Sequence, residues 1–271
     1  MSRTQKLLFF LTAWLICLMP FLFWWNTWFG RKLSDQQLTA YLHDTKKPRH
    51  IQQALVQVGE RITHHESSAQ QWYPDLVRLA SDPVEEVRNT DAWVMGQDPA
   101  GAGFHAALLK MLDDSSPMVR GNAALSLVRF GDATGRPQIL ALLQPAQITA
   151  VESGRIVDAD RQGTAIHQGG LIAKLDNGHG QIDEARSPIP GRIRSVVGTG
   201  ANLTAGAQIA VIDPANEQVW EALRALYLIG QPDDLASIRP YERDLPDISN
   251  DVRQQAAETE QAIRKRTAST R

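Results

Sequence analysis

Cysteine is almost missing from this chain: one thiol, Cys17, stands in 271 residues. Internal disulfides and cysteine-ligated metal sites are thereby excluded. Neither sign of charge is in excess, with 28 Lys and Arg against 30 Asp and Glu, a net charge of -2 and a pI near 6.4. No global basic field exists to hold nucleic acid, so none is expected as a partner. Compact sets of catalytic or metal-ligating residues are also missing. His64-His65-Glu66 is the one dense cluster, and adjacent histidines on a helix point about 100° apart, unlike an i, i+4 pair that shares a metal. It reads as a polar helix end. His167 and His179 lie near turns without acidic partners at metal-site spacing. Gly101-Ala102-Gly103 lacks the preceding strand and following Lys-Ser/Thr of a phosphate loop. No catalytic, cofactor-binding or metal residue is assigned, no cofactor is expected, and the chain reads as a non-enzyme.

Charge is missing altogether from residues 7–29, a run of 23 apolar and neutral residues. That length spans a bilayer core as a helix. Trp24, Trp25 and Trp28 gather at its end as interfacial aromatics do. The run exceeds a signal-peptide core, and no small-x-small cleavage site follows. Residues 1–30 are therefore expected to be a tail and a single-pass anchor. Arg31 and Lys32 after it, with Lys46, Lys47 and Arg49, lean toward a cytoplasmic body by the positive-inside rule.

From 34 to 145 the pattern is helical. Ile51, Ala54, Leu55, Val58 and Ile62 recur at i, i+3, i+4 and i+7 spacing. Asp82-Pro83-Val84-Glu85-Glu86-Val87-Arg88 is then echoed by Asp114-Ser115-Ser116-Pro117-Met118-Val119-Arg120. Each has an Asp, a Pro near the first helical turn and a Val-Arg pair. Gly96 and Gly131 close the two units. These segments resemble HEAT-type helical hairpins, especially the short phycobilin-lyase-like variety. The resemblance implies arginines that bridge neighbouring repeats and a surface that binds proteins. Anchor positions Ile51, Val87, Val119, Val219 and Val252 step by 36, 32, 100 and 33 residues. The long step predicts an insertion in the fourth hairpin, between Leu143 and Val219, with Asp213-Pro214 standing where Asp114 stands elsewhere. The helical repeats are then expected to resume over 214–266, leaving 267–271 as a disordered tail.

The insertion, 146–213, is one passage written twice. At an offset of 37, Gly154 falls on Gly191, Gly163 on Gly200, Gly169 on Gly206, Ile156 on Ile193 and Asp176 on Asp213. Gly163, Gly169, Gly200 and Gly206 sit where tight turns need positive φ. Each copy resembles half of a biotinyl/lipoyl carrier, a barrel-sandwich hybrid, and equally the hybrid of HlyD-type membrane-fusion adaptors. The joint between the copies, Asp176 to Asp183, holds no lysine, and Lys174 lies in the last strand of copy one. Covalent swinging-arm chemistry is therefore not expected, and Asn177, Gly178, His179 and Gly180 become a candidate contact loop.

The fold class expected is α+β multidomain: a transmembrane helix, then a HEAT-like solenoid of about five hairpins, with an all-β hybrid set into the fourth. The HlyD resemblance implies a bacterial inner-membrane protein with a periplasmic body. It also implies a scaffold or adaptor whose partner is a transporter, secretion or synthase subunit. The alternatives are a membrane-tethered assembly factor for a cytoplasmic client, or a bilin-lyase-like enzyme.

Overall fold

The computed structural model describes residues 12, 14, 18, 19, 32–178, 180 and 182–269. They fall into two compact units, Met1–Gln57 and Val58–Arg271. In the first, Ser34 caps helix α1 (Asp35–Leu42). Its hydroxyl accepts from the Gln37 N–H while the Gln37 carboxamide accepts from the Ser34 N–H, a reciprocal box that satisfies two otherwise orphaned donors. The Tyr41 ring stacks on His50 with centroids 4.1 Å apart. His50 Nδ1 lies 2.8 Å from Asp44 Oδ2. Helix α2 (Pro48–Thr63) begins here, and its stripe Ile51, Ala54, Leu55, Val58 and Ile62 is buried throughout.

The second unit opens with helices α3 (Tyr73–Leu79), α4 (Glu85–Met95), α5 (Phe104–Met111), α6 (Pro117–Arg129) and α7 (Arg136–Leu142). An aspartate turn recurs between them. Asp82 accepts from the Val84 N–H at 2.9 Å, Asp98 from Ala100 at 2.9 Å, Asp114 from Ser116 at 2.8 Å and Asp132 from Thr134 at 2.8 Å. A short side-chain acceptor that ties its own backbone two residues on stops one helix and aims the next. Ser116 then caps α6.

Helices α8 (Asn216–Ile229), α9 (Leu235–Ile238) and α10 (Asn250–Ser269) follow the strands. Two helix pairs stack by the same device. Ser126 on α6 donates to the Ala92 carbonyl of α4 at 2.8 Å, and Thr259 on α10 donates to the Leu223 carbonyl of α8 at 3.0 Å. Close approach makes Gly96 necessary, since a Cβ there would lie 2.3 Å from the Ser126 hydroxyl.

Eight strands lie between α7 and α8: β1 (Ala146–Thr149), β2 (Gly154–Ala159), β3 (Ala165–Ile166), β4 (Leu171–Asp176), β5 (Ile182–Arg186), β6 (Gly191–Val196), β7 (Asn202–Leu203) and β8 (Gln208–Pro214). They form two four-stranded sheets, β1-β8-β6-β3 and β5-β4-β2-β7. The halves exchange their shortest strands: β3 of the first pairs with β6 of the second, and β7 of the second pairs with β2 of the first. Core side chains come in pairs 37 residues apart, Ile156 with Ile193, Ile172 with Ile209, and Leu175 with Ile212, all buried. Met118 of α6 packs against this core. The Gln168 carboxamide donates to Glu85 of α4, which also accepts from the Ser116 hydroxyl at 2.6 Å.

The fold class read from the sequence is corrected in three respects. The anchor expected at 7–29 lies outside the described residues except at 12, 14, 18 and 19. Among the described residues no helix is long and apolar enough to cross a membrane. The single-pass inner-membrane placement with a periplasmic body is withdrawn with it. Next, α1 to α7 precede the strands, and from Val58 onward strands and helices make one compact unit, not a solenoid with a separable barrel set into a hairpin. Met118 and Glu85, holding the strands to α6 and α4, are the physical reason. Finally, among the described residues five regular hairpins are not found. The last pair has only the four residues of α9, between the 3-10 turns Pro232–Asp234 and Arg239–Glu242. Pro232 and Pro240 interrupt that stretch, because proline removes a helical donor.

Candidate functional site

The loop singled out from the sequence is the β4–β5 turn. Gly178 (φ 77°) donates its N–H to the Asp176 carboxylate at 2.8 Å, Gly180 is also left-handed at φ 80°, and Asn177 donates to Glu152 at 3.3 Å. His179 lies outside the described residues. The described residues do not gather three or more His, Cys, Asp or Glu as a metal ion needs. His65 takes the left-handed conformation (φ 56°) that ends α2, and His64 is exposed beside it.

A larger hollow of about 960 Å³ opens between sheet β1-β8-β6-β3 and the chain from Pro214 to Ile248. Strand alternation builds its first wall. Ile193 points into the core, so Arg192 and Arg194 on either side of it point out. Arg194 grips Asp213 of β8 with two hydrogen bonds, Nε to Oδ2 at 3.0 Å and a second from Nη2. That paired carboxylate raises the guanidinium further above its usual range. Arg192 donates to the Gly163 carbonyl at 2.6 Å, and its Nε stands 3.5 Å from Asp247.

The second wall comes from the turns after α8. Tyr241 donates its hydroxyl to the Leu143 carbonyl at 2.5 Å, joining the end of α7 to the turn after α9. Burial pushes its phenol up to about 12, and the nearby Asp213 charge adds to the rise. Asn216, at the start of α8, donates to the Asp247 carbonyl at 3.2 Å and accepts from the Ser249 N–H at 3.2 Å. Pro214, Val219, Pro240 and Ile248 supply apolar lining. The arrangement offers hydrogen-bond donors and acceptors around an apolar floor, a surface for holding a chain segment.

Asp213, Pro214 and Val219 figure in the sequence only as repeat positions, and no residue of the cleft is singled out there as a site. Arg192-Ile193-Arg194 carried a usable signal, because alternation in a strand sends both arginines to one face. Tyr241 and Asn216 carried none: their partners depend on the tertiary path. The expected repeat-bridging arginine is present in Arg88. It binds both oxygens of Asp114 at 2.7 and 2.9 Å, and also the carbonyls of Asp82 and Pro83. Its guanidinium holds the Asp114 carboxyl below the usual range. Arg120 repeats the carbonyl contacts but not the carboxylate pair. It closes on the Asp114 and Ser115 carbonyls at 2.6 and 2.9 Å, and Asp213, expected to play the part of Asp114, is taken by Arg194.

A fully buried carboxyl also escaped the sequence reading. Asp91 on α4 is 0% exposed, and neither oxygen has a hydrogen-bond partner among the described residues. Burial pushes it well above the usual carboxylate range, with Arg78 opposing and Asp82 adding. At the corresponding place in α6 stands Ala123.

Comparison with known proteins agrees with the helical part. The family description HEAT repeat matches residues 106–133, from α5 through α6 to the turn beyond. No curated protein matches the chain. A solved single-chain, multi-domain long-chain acyl-CoA carboxylase is similar over 52% of this chain at 16% identity, with a TM-score of 0.25. This chain covers 14% of that protein's length. A likeness so slight carries no argument, and the HlyD-type resemblance gains nothing from it. The chain contains a HEAT repeat, and such repeats serve protein–protein contact.

Proposed function

We propose that this protein is a binding scaffold with no catalysis of its own, holding protein partners on its stacked helices and in the cleft beside sheet β1-β8-β6-β3. The HEAT match at 106–133, with Arg88 and Asp114 locking the helices of that region to their neighbours, is the observation that carries the reading. Rigidly stacked helices present a fixed surface, and the cleft adds a concave apolar floor with polar groups at its rim. A narrower assignment, an adaptor in a transport, secretion or envelope-polysaccharide assembly, draws only on the resemblance of 146–213 to HlyD-type hybrids.

Affinity purification with quantitative mass spectrometry tests the scaffold. The wild-type chain should recover a defined set of proteins. Arg192→Glu combined with Arg194→Glu should lose members of that set while thermal melting shows the fold intact. Recovery of background alone, or an identical set from both chains, would refute it.

A further inference from the structure

One surface of the cleft is made by a segment that behaves like a guest. Leu245, Pro246, Asp247 and Ile248 line the cavity, yet the segment is poorly covered. Leu245 is 48% exposed, and the Asp244 and Asp247 side chains are 90% and 71% exposed. A strap evolved to close a core would bury its leucine; this one leaves a hollow of about 960 Å³ beneath it. Its backbone is held from outside by one side chain, Asn216, which meets the Asp247 carbonyl and the Ser249 N–H together. A carboxamide bridging a C=O and an N–H two residues apart recognises backbone and is indifferent to side chains. The side-chain contacts are two surface ion pairs, Arg192 to Asp247 at 3.5 Å and Arg253 of α10 to Asp244, with both aspartates well exposed. Pairs of that kind contribute little and open readily.

We propose that residues 243–249 occupy the cleft in cis as a stand-in for a segment of a partner protein. The partner segment has the same chemistry, an acidic residue between apolar ones, and it displaces the strap. Asn216 takes the incoming backbone, Arg192 takes the carboxylate, and the floor of Pro214, Val219 and Pro240 takes the apolar side chains. The strap lowers apparent affinity, because a competing intramolecular contact must open first. This inference rests on the scaffold reading but stands or falls by a separate measurement.

The probe is a fluorescein-labelled peptide with the sequence of residues 242–250, added to the full chain and followed by fluorescence anisotropy. A strap variant carries Asp244→Gly, Leu245→Gly, Pro246→Ser and Asp247→Ser. It should bind the peptide at least about tenfold more tightly than the wild-type chain. Adding Arg192→Ala, or changing the peptide's second aspartate to asparagine, should each weaken binding by about fivefold. Equal binding by wild-type and strap variant, or indifference to Arg192 and to the peptide carboxylate, would overturn the proposal. So would light scattering that shows wild-type dimers abolished by the strap changes, because the occupant would then be a second copy. If the strap variant does not fold, native-state hydrogen exchange on the wild-type chain decides. The Ser249 and Ile248 amides should exchange far faster than those in the middle of α10, and equal protection would sink the idea. Partner recovery without peptide binding removes the strap's role and leaves the scaffold standing.

Discussion

Two regions of this molecule are built by repetition, and they close it in different ways. The helical region repeats by adjacency. Arg88 reaches forward to Asp114, Ser126 reaches back to Ala92, and Thr259 reaches back to Leu223, so each link joins one helix pair to the next. Links of that kind can be added or lost one at a time. The strand region repeats by exchange. Each half lends its shortest strand to the other half's sheet, and the core fills with residues from both. Adjacency tolerates irregular members, and the reduced α9 is one. Exchange does not, because a fault in one half is a fault in both.

The comparison can be broken most forcefully at Gly191, where a Cβ would sit 1.8 Å from the Asp213 carbonyl oxygen. Gly191→Ala should cost about 3 kcal/mol. If the halves are interlocked, hydrogen exchange will show β2 and β4 losing protection together with β6 and β8. Loss confined to β6 and β8 would mean that the halves are independent.

Arg88→Ala comes next. Its ion pair with Asp114 is only 13% and 10% exposed, so removing one partner should cost about 3 kcal/mol or somewhat less. The damage should stay at the α4–α6 junction, seen as proteolysis near 113–116 with the strands intact. The pair also has a pH signature. Arg88 lowers the folded-state pKa of Asp114, so its contribution is full above the unfolded value of about 3.9 and is lost as pH falls through the folded one. Below pH 4 the variant should therefore lose less stability than the wild-type chain.

Asp91 has the opposite sign. Burial raises its folded-state pKa, so its contribution is full below the unfolded value of about 3.9 and is lost as pH rises toward the folded one. Asp91→Ala, the residue that α6 already has at this place, should raise stability at pH 7 by about 2 kcal/mol. The gain in Tm should shrink as the buffer is taken toward pH 4. The smallest effect is Ser126→Ala, which removes one neutral hydrogen bond between helices and should cost about 1 kcal/mol in urea unfolding.

What could be read without the structure was what recurs locally. Gly163, Gly169, Gly200 and Gly206 were assigned to turns from their spacing, and their φ values of 85°, 74°, 94° and 80° are those turns. The HEAT resemblance makes Arg88 a bridge, and a bridge it is. The same resemblance misled at Arg120, because the sequence could not show that the next aspartate, Asp213, lies beside Arg194. Gly96 reads as a helix stop, and α4 does end there; its φ of -65° is ordinary, so what the place demands of glycine is its smallness beside Ser126. The cleft was invisible for a related reason: Tyr241 meets Leu143 across 98 residues of chain. Distant pairings of that kind leave no local pattern. The apolar run at 7–29 reads as an anchor from its length, its terminal tryptophans and its missing cleavage site, and all three are local properties too.

The exchange of β3 and β7 has a consequence for the order in which the molecule is made. A ribosome delivers β2 well before β7, its edge partner, with 43 residues between Ala159 and Leu203. At elongation rates of about 5–20 residues per second, that is a wait of roughly 2–9 s. During this interval the first half has one sheet edge unsatisfied, and its Ile156 and Ile172 have no opposite wall. The helices before Leu142 can already stack on one another while this happens. The newborn chain therefore passes through a stage with finished helices and an unfinished strand layer. Chaperones, and strand-seeking neighbours, would meet it in that form.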